Sequence, residues 1–172
     1  MHWTSAQPGC LDAERELFLI NQTPGEIIFL SAADTDLTSV SVAWRERFGN
    51  RLRLAHAFAL RQPVAADSYI ETVIRKSKLL VARLLGGKSY FAHFIQGLLD
   101  LKEQGGGPKC LILPGTGSDD LEGLSDFPPA VCKRISELFE NGGPENLQRA
   151  ASSIELSPIR STPPSTRCRR SS

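Results

Sequence analysis

Four short apolar runs, separated by stretches whose apolar residues recur at helical spacing, restrict this chain to a narrow set of folds. The first run, Ile27-Ile28-Phe29-Leu30, is continuous and contains no polar residue. A strand with no polar face must be buried on both sides, which is the situation in a parallel sheet covered by helices. Leu52, Leu54, Ala55 and Ala57 mark a second strand, Leu79 to Leu85 a third and Lys109 to Leu113 a fourth. Between them, Leu37, Val40, Trp44 and Phe48 share one helical face, and Tyr69, Ile70, Val73 and Ile74 share another behind a capping box read at Ser68 to Glu71. Tyr90, Phe91, Phe94, Ile95, Leu98 and Leu99 predict a third helix. Pro128-Pro129 opens one carrying Val131, Ile135, Leu138 and Phe139, and a short helix follows to Ala151. Gly49-Asn50, Gly86-Gly87, Gly105-Gly106-Gly107-Pro108 and Gly142-Gly143-Pro144 punctuate the elements.

Strands spaced by helices give right-handed βαβ units. The expected fold is therefore α/β, an open parallel sheet of about four strands in flavodoxin-like order 2-1-3-4. Residues 1–25 form a lead-in, with the patch at 17–20 left unassigned, and residues 26–151 form the α/β domain. Residues 152–172 are rich in Ser, Pro and Arg, with Glu155 their only acid, and are expected to be a disordered tail.

Composition narrows the function classes mainly by exclusion. Twenty Lys and Arg against nineteen Asp and Glu give a net charge of +1, so no overall field recommends nucleic acid or an anionic membrane as partner. Cys10, Cys110, Cys132 and Cys168 lie far apart without a CxxC pair, unlike a zinc site or a compact disulfide framework, and reduced thiols in the cytoplasm are expected. No basic leader precedes an apolar stretch, and the apolar runs are of strand length, so neither secretion nor membrane insertion is expected.

In a doubly wound sheet, ligands sit at the strand C-termini, here the loops 31–35, 60–67, 86–90 and 114–120, of which the first and third are preferred. Gly87-Lys88-Ser89 ends like a P-loop, but Ala82 stands where the first glycine is required, and a tight turn is the expected role. Gly115-Thr116-Gly117 begins like a dinucleotide fingerprint, but position 120 is Asp among Asp119 and Glu122, whose charge repels a pyrophosphate. A receiver domain needs a phosphoacceptor aspartate after the third strand, where this chain has Leu85-Gly86. Asp34 and Asp36 are expected to cap the first helix rather than bind a cation. His2, His56 and His93 are scattered, and neither a GxSxG elbow nor a Cys and His pairing recommends a nucleophile, so no catalytic residue and no metal ligand is assigned.

Several strings carry a resemblance. They are Met1-His2 with 4–9 close behind, the run from Ile28 through Ser31-Ala32-Ala33-Asp34-Thr35-Asp36-Leu37, Arg83-Leu84-Leu85-Gly86-Gly87-Lys88-Ser89-Tyr90, Leu111-Ile112-Leu113-Pro114-Gly115, and Gly142-Gly143-Pro144-Glu145-Asn146. In this order they resemble the N-terminal segment of the large subunit of aerobic cobaltochelatase, the CobN type, a family related to the magnesium chelatase large subunit. The likeness runs to about Ala151. It implies a full protein that binds cobalt(II) and the corrin precursor hydrogenobyrinic acid a,c-diamide, with ATP hydrolysed by separate AAA+ partner subunits. Family members are several times longer and continue past the point where this chain turns to Ser, Pro and Arg. A truncated reading frame, inactive alone, is therefore the expectation. Ser31, Asp34, Thr35, Gly86, Gly87, Ser89 and Tyr90 are carried forward as candidates for a cleft edge. The alternative is a stand-alone α/β module that binds a small molecule or anion, with its loop at 86–90 holding the ligand.

Overall fold

Ile27–Ser31 forms strand β1, and all five of its residues are buried. The computed structural model describes residues 19–115, 121 and 123–157. Strands β2 (Leu52–His56), β3 (Leu79–Leu84) and β4 (Lys109–Pro114) complete a sheet in which every pairing is parallel and the order is β2-β1-β3-β4. This is the order that the strand and helix alternation predicts.

Successive side chains on a strand point to opposite faces. Ile28, Leu30, Leu80, Ala82, Leu84, Cys110 and Ile112 meet helices α3 (Pro63–Thr72) and α5 (Ala92–Glu103) on one face. On the other, Ile27, Phe29, Val81, Leu111 and Leu113 meet α1 (Asp34–Ala43), α6 (Pro129–Asn141) and α7 (Pro144–Leu156). On this second face Phe29, Trp44, Phe48 and Phe139 make edge-on and stacked ring contacts with centroids 5.4 to 6.2 Å apart. Trp44 is fully buried, and its indole N–H donates to the Leu147 carbonyl at 2.8 Å, which ties α7 to the joint between α1 and the one-turn helix α2 (Arg45–Phe48). On the first face a Cβ at Gly97 would lie 2.6 Å from the Ile70 Cδ1, so the missing side chain lets α5 approach α3 closely.

Three local expectations change. Ser68 and Glu71 lie inside α3 and do not open it. Pro63 occupies the first turn, where its fixed φ suits a helix and its missing N–H costs nothing, and the helix starts there. Asp34 and Asp36 do not provide the N-cap of α1. That position is Ala33, which has no side-chain capping bond, and Asp36 is committed elsewhere. Helix α7 continues past Ala151 to Leu156, because Ile154 reaches the core beside Ala150 and Ala151. The disordered tail expected from 152 is thus helical as far as Leu156, and its remainder from 158 lies outside the described residues, as do positions 1–18, 116–120 and 122.

Side chains occupy the backbone groups of the β4 edge and some of the carbonyls of the β2 edge. On β4 the outward backbone groups belong to Cys110 and Ile112. Ser125 Oγ accepts from the Ile112 N–H at 2.8 Å and donates to its carbonyl at 2.9 Å. Asp126 accepts from the Cys110 N–H at 2.7 Å and returns its own N–H to the Cys110 carbonyl at 2.8 Å. Lys102 holds the Asp126 carboxylate at 2.9 Å. On β2, Gln22 donates to the Leu54 carbonyl and accepts from the Tyr69 hydroxyl, while Arg53 donates to the Thr23 carbonyl. An open strand edge is a template for pairing with another chain, and these contacts remove much of it.

Two outcomes follow from this arrangement. Ser125→Ala leaves the Ile112 N–H and carbonyl without their partner and lowers stability by about 1–3 kcal/mol, read from the urea midpoint, with concentration-dependent association in sedimentation. The Cys110 thiol is pushed by burial from its ordinary 9.0 up to about 12. Its neutral form is thus favoured in the folded state, and the stabilisation is complete below pH 9 and lost as pH rises toward 12. Burial raises the Tyr69 phenol in the same direction. Unfolding of Cys110→Ala should therefore depend less steeply on pH above 9 than that of the parent chain, and equal slopes would remove the thiol from the account.

Candidate functional site

The C-terminal edge of the sheet carries a row set by strand register, in which His56, Ser31, Arg83 and Leu113 stand side by side on β2, β1, β3 and β4. The chain reverses its direction of travel across the sheet between β1 and β3, and this is where an open α/β sheet forms its crevice. A polar network fills that position. Ser31, fully buried, donates from Oγ to Asp36 Oδ2 at 2.6 Å and accepts from the Ala33 N–H at 3.1 Å. Arg83 Nη1 meets Asp36 Oδ1 at 2.6 Å, with both side chains only 12% exposed, and its guanidinium carbon lies 5.7 Å from the Phe139 ring centroid.

An ion pair this far from water gains from further bonds to its charged groups, and here the second carboxylate oxygen accepts from Ser31 while the guanidinium lies against the Phe139 ring. Asp36 accepts from both Ser31 and Arg83, so the carboxylate is shared between the loop after β1 and strand β3. The arrangement therefore joins two strand ends and spends its charge internally.

The other candidates lie nearer the surface. Asp34 is 91% exposed and faces His56 Nε2 at 3.5 Å, while His56 Nδ1 accepts the Phe58 N–H at 3.2 Å. Thr35 and Ser89 are exposed. Gly86 and Gly87 both have positive φ, of 103° and 78°, and make a sharp turn into the one-turn helix α4 (Gly87–Tyr90). A Cβ at Gly86 would lie 3.1 Å from the Tyr90 Cγ, so the glycine leaves room for that ring. Tyr90 does not join the buried face of the third helix; it is 53% exposed, in the turn before α5.

Asp36 and Arg83 tie the start of α1, just after the first loop, to strand β3. It is the second and third loops that touch directly. Arg61, in the 3-10 turn Ala57–Arg61 after β2, places its guanidinium carbon 4.4 Å from the Tyr90 ring centroid and 4.7 Å from that of Phe58. Arg61 and Phe58 carry no motif that sequence reading could single out; only the register bringing 57–61 beside 87–90 reveals them. Arg83 lies within one of the family-like strings, but its partner is 47 positions away. Beyond β4, Ile112, Pro114, Leu121, Phe127, Cys132 and Lys133 line part of a depression of about 430 Å³. Among the described residues no three His, Cys, Asp or Glu converge as a metal-binding group, and no helix is long and apolar enough to cross a membrane.

No protein-family model matches the chain. Its curated relatives include the aerobic cobaltochelatase subunit CobN of Sinorhizobium sp, 36% identical over 150 residues, and that of Pseudomonas aeruginosa, 29% identical over 152 residues. Each match takes in 85% of this chain and 12% of the relative, so the chain spans a small part of those subunits. In three dimensions it resembles the catalytic subunit of cobaltochelatase from Mycobacterium tuberculosis, with a TM-score of 0.55 and 21% identity over 80% of this chain and 11% of that one, a likeness of fold.

Removing one partner of the polar network should be costly and removing both much less so. Arg83→Met strands the Asp36 carboxylate and lowers stability by about 3 kcal/mol, whereas adding Asp36→Asn recovers part of that loss. A double-mutant cycle in urea measures the coupling, and strictly additive losses would show that the pair contributes nothing as a pair.

Proposed function

This chain is homologous over 85% of its length to a segment of the CobN subunit of aerobic cobaltochelatases, and from that premise we propose that it is an N-terminal α/β segment of such a large subunit and does not insert metal alone. The whole subunit, on this reading, holds cobalt(II) and hydrogenobyrinic acid a,c-diamide as substrates, in the cytoplasm, while AAA+ partner subunits hydrolyse ATP. The observation that carries the reading is the sequence match of 150 residues at 36% identity, which leaves most of the relative unaccounted for.

Chemistry agrees with a supporting role for the described residues. Metal insertion calls for a base to take ring N–H protons and for donors that pass on the ion. At the crevice the carboxylate of Asp36 is already neutralised by Arg83 and hydrogen-bonded to Ser31. With both oxygens engaged, such a group is a poor metal ligand without rearrangement. The segment instead offers a rigid sheet whose C-terminal loops form one wall against which further structure can rest.

The test is a cobalt-insertion assay with the ATPase subunits and corrin precursor, run with this chain and with a full-length CobN relative under the same conditions. The relative should produce the cobalt corrinoid, and this chain should produce none. Cobalt insertion by this chain alone would overturn the proposal.

A further inference from the structure

Two exposed large apolar side chains, Phe58 and Tyr90, belong to the turns that meet through Arg61 at the C-terminal end of the sheet, and a third, Val64, lies in the first turn of α3 just beyond Arg61 in the chain. Arg61 is itself exposed, and it makes no hydrogen bond and no ion pair to any described residue. An arginine resting on aromatic rings is held in place by attraction to the ring faces, which accept none of its five N–H donors as a carboxylate would. The ring of Tyr90 is held against the side-chain-free Gly86. The guanidinium is thus positioned and flanked by apolar surface, with its N–H donors open to solvent and bonded to no described residue.

We propose that Arg61, set against Phe58 and Tyr90, is a binding site for an organic carboxylate with an apolar body. The carboxylate takes the guanidinium fork in its plane, through two parallel N–H to oxygen bonds. The apolar body lies on Phe58, Tyr90 and Val64. Inorganic phosphate has no apolar body to lay on these side chains, so it is the weaker ligand. The same chemistry is offered by a small organic acid or by an acidic side chain set among apolar residues in a polypeptide. The site rests on this chain's own geometry and stands whether or not the chain serves a cobaltochelatase.

The test is a titration of the intact chain followed by NMR at the arginine Nε–H resonances, with 4-phenylbutyrate, its neutral amide, inorganic phosphate, and a short peptide carrying one Glu between Leu residues. Saturable shifts of the Arg61 resonance are expected with 4-phenylbutyrate, weaker ones with phosphate and none with the amide. Arg61→Met should weaken binding by about tenfold or more, and Tyr90→Ala by a smaller factor, with the far-UV spectrum and melting curve unchanged. A peptide affinity above that of phenylbutyrate supports the site with a polypeptide as its source of carboxylate; the reverse order supports it with a small acid. Binding that survives Arg61→Met, an equal response to the amide, or the absence of any Arg61 shift overturns the assignment.

Discussion

The complete burial of β1 is the constraint on which the rest of this structure depends. Its five residues pair with β2 on one side and β3 on the other, and lie under helices on both faces. A strand so enclosed can contain no unsatisfied group, and Ser31, its one polar side chain, is bonded as donor and as acceptor. The Asp36 and Arg83 pair is in turn what makes a hydroxyl tolerable there. The apolar strand, the buried serine and the ion pair are three consequences of placing one strand at the centre of a parallel sheet.

Much of this was legible in the order of residues. Ile27 to Leu30 is apolar without alternation, a pattern with few uses other than a strand covered twice, and glycine runs mark the element ends. Strand order follows from the handedness of βαβ connections. Ser68 and Glu71 have the spacing of a capping box without opening α3, a local rule that any helix interior can satisfy by chance. Pro63 was the stronger signal, since its ring fixes the backbone where the box only rewards it.

The polar contacts at the C-terminal edge were far less legible, for a physical reason. Asp36 and Arg83 are separated by 47 positions, and Arg61 and Tyr90 lie on different loops, so no periodicity links them. Asp36 looks locally like a cap because acidic residues favour a helix first turn. Only the parallel register, which sets Ser31 beside Arg83, shows that Asp36, though in the first turn, gives its oxygens to a cation and a hydroxyl and not to the helix amides. Residue type announced charge; the fold decided which charge met which.

The treatment of β4 constrains how this unit can be combined with anything else. The outward backbone groups of Cys110 and Ile112 are occupied by Ser125 and Asp126, and Pro114 has no N–H to give. A fifth strand on that side would have to displace these bonds before forming its own. Neighbouring structure therefore gains most by resting on the helical layers or on the loops above the strands. The sheet behaves as a finished plank, joined to other parts through its faces and its upper end and not lengthened by adding another board.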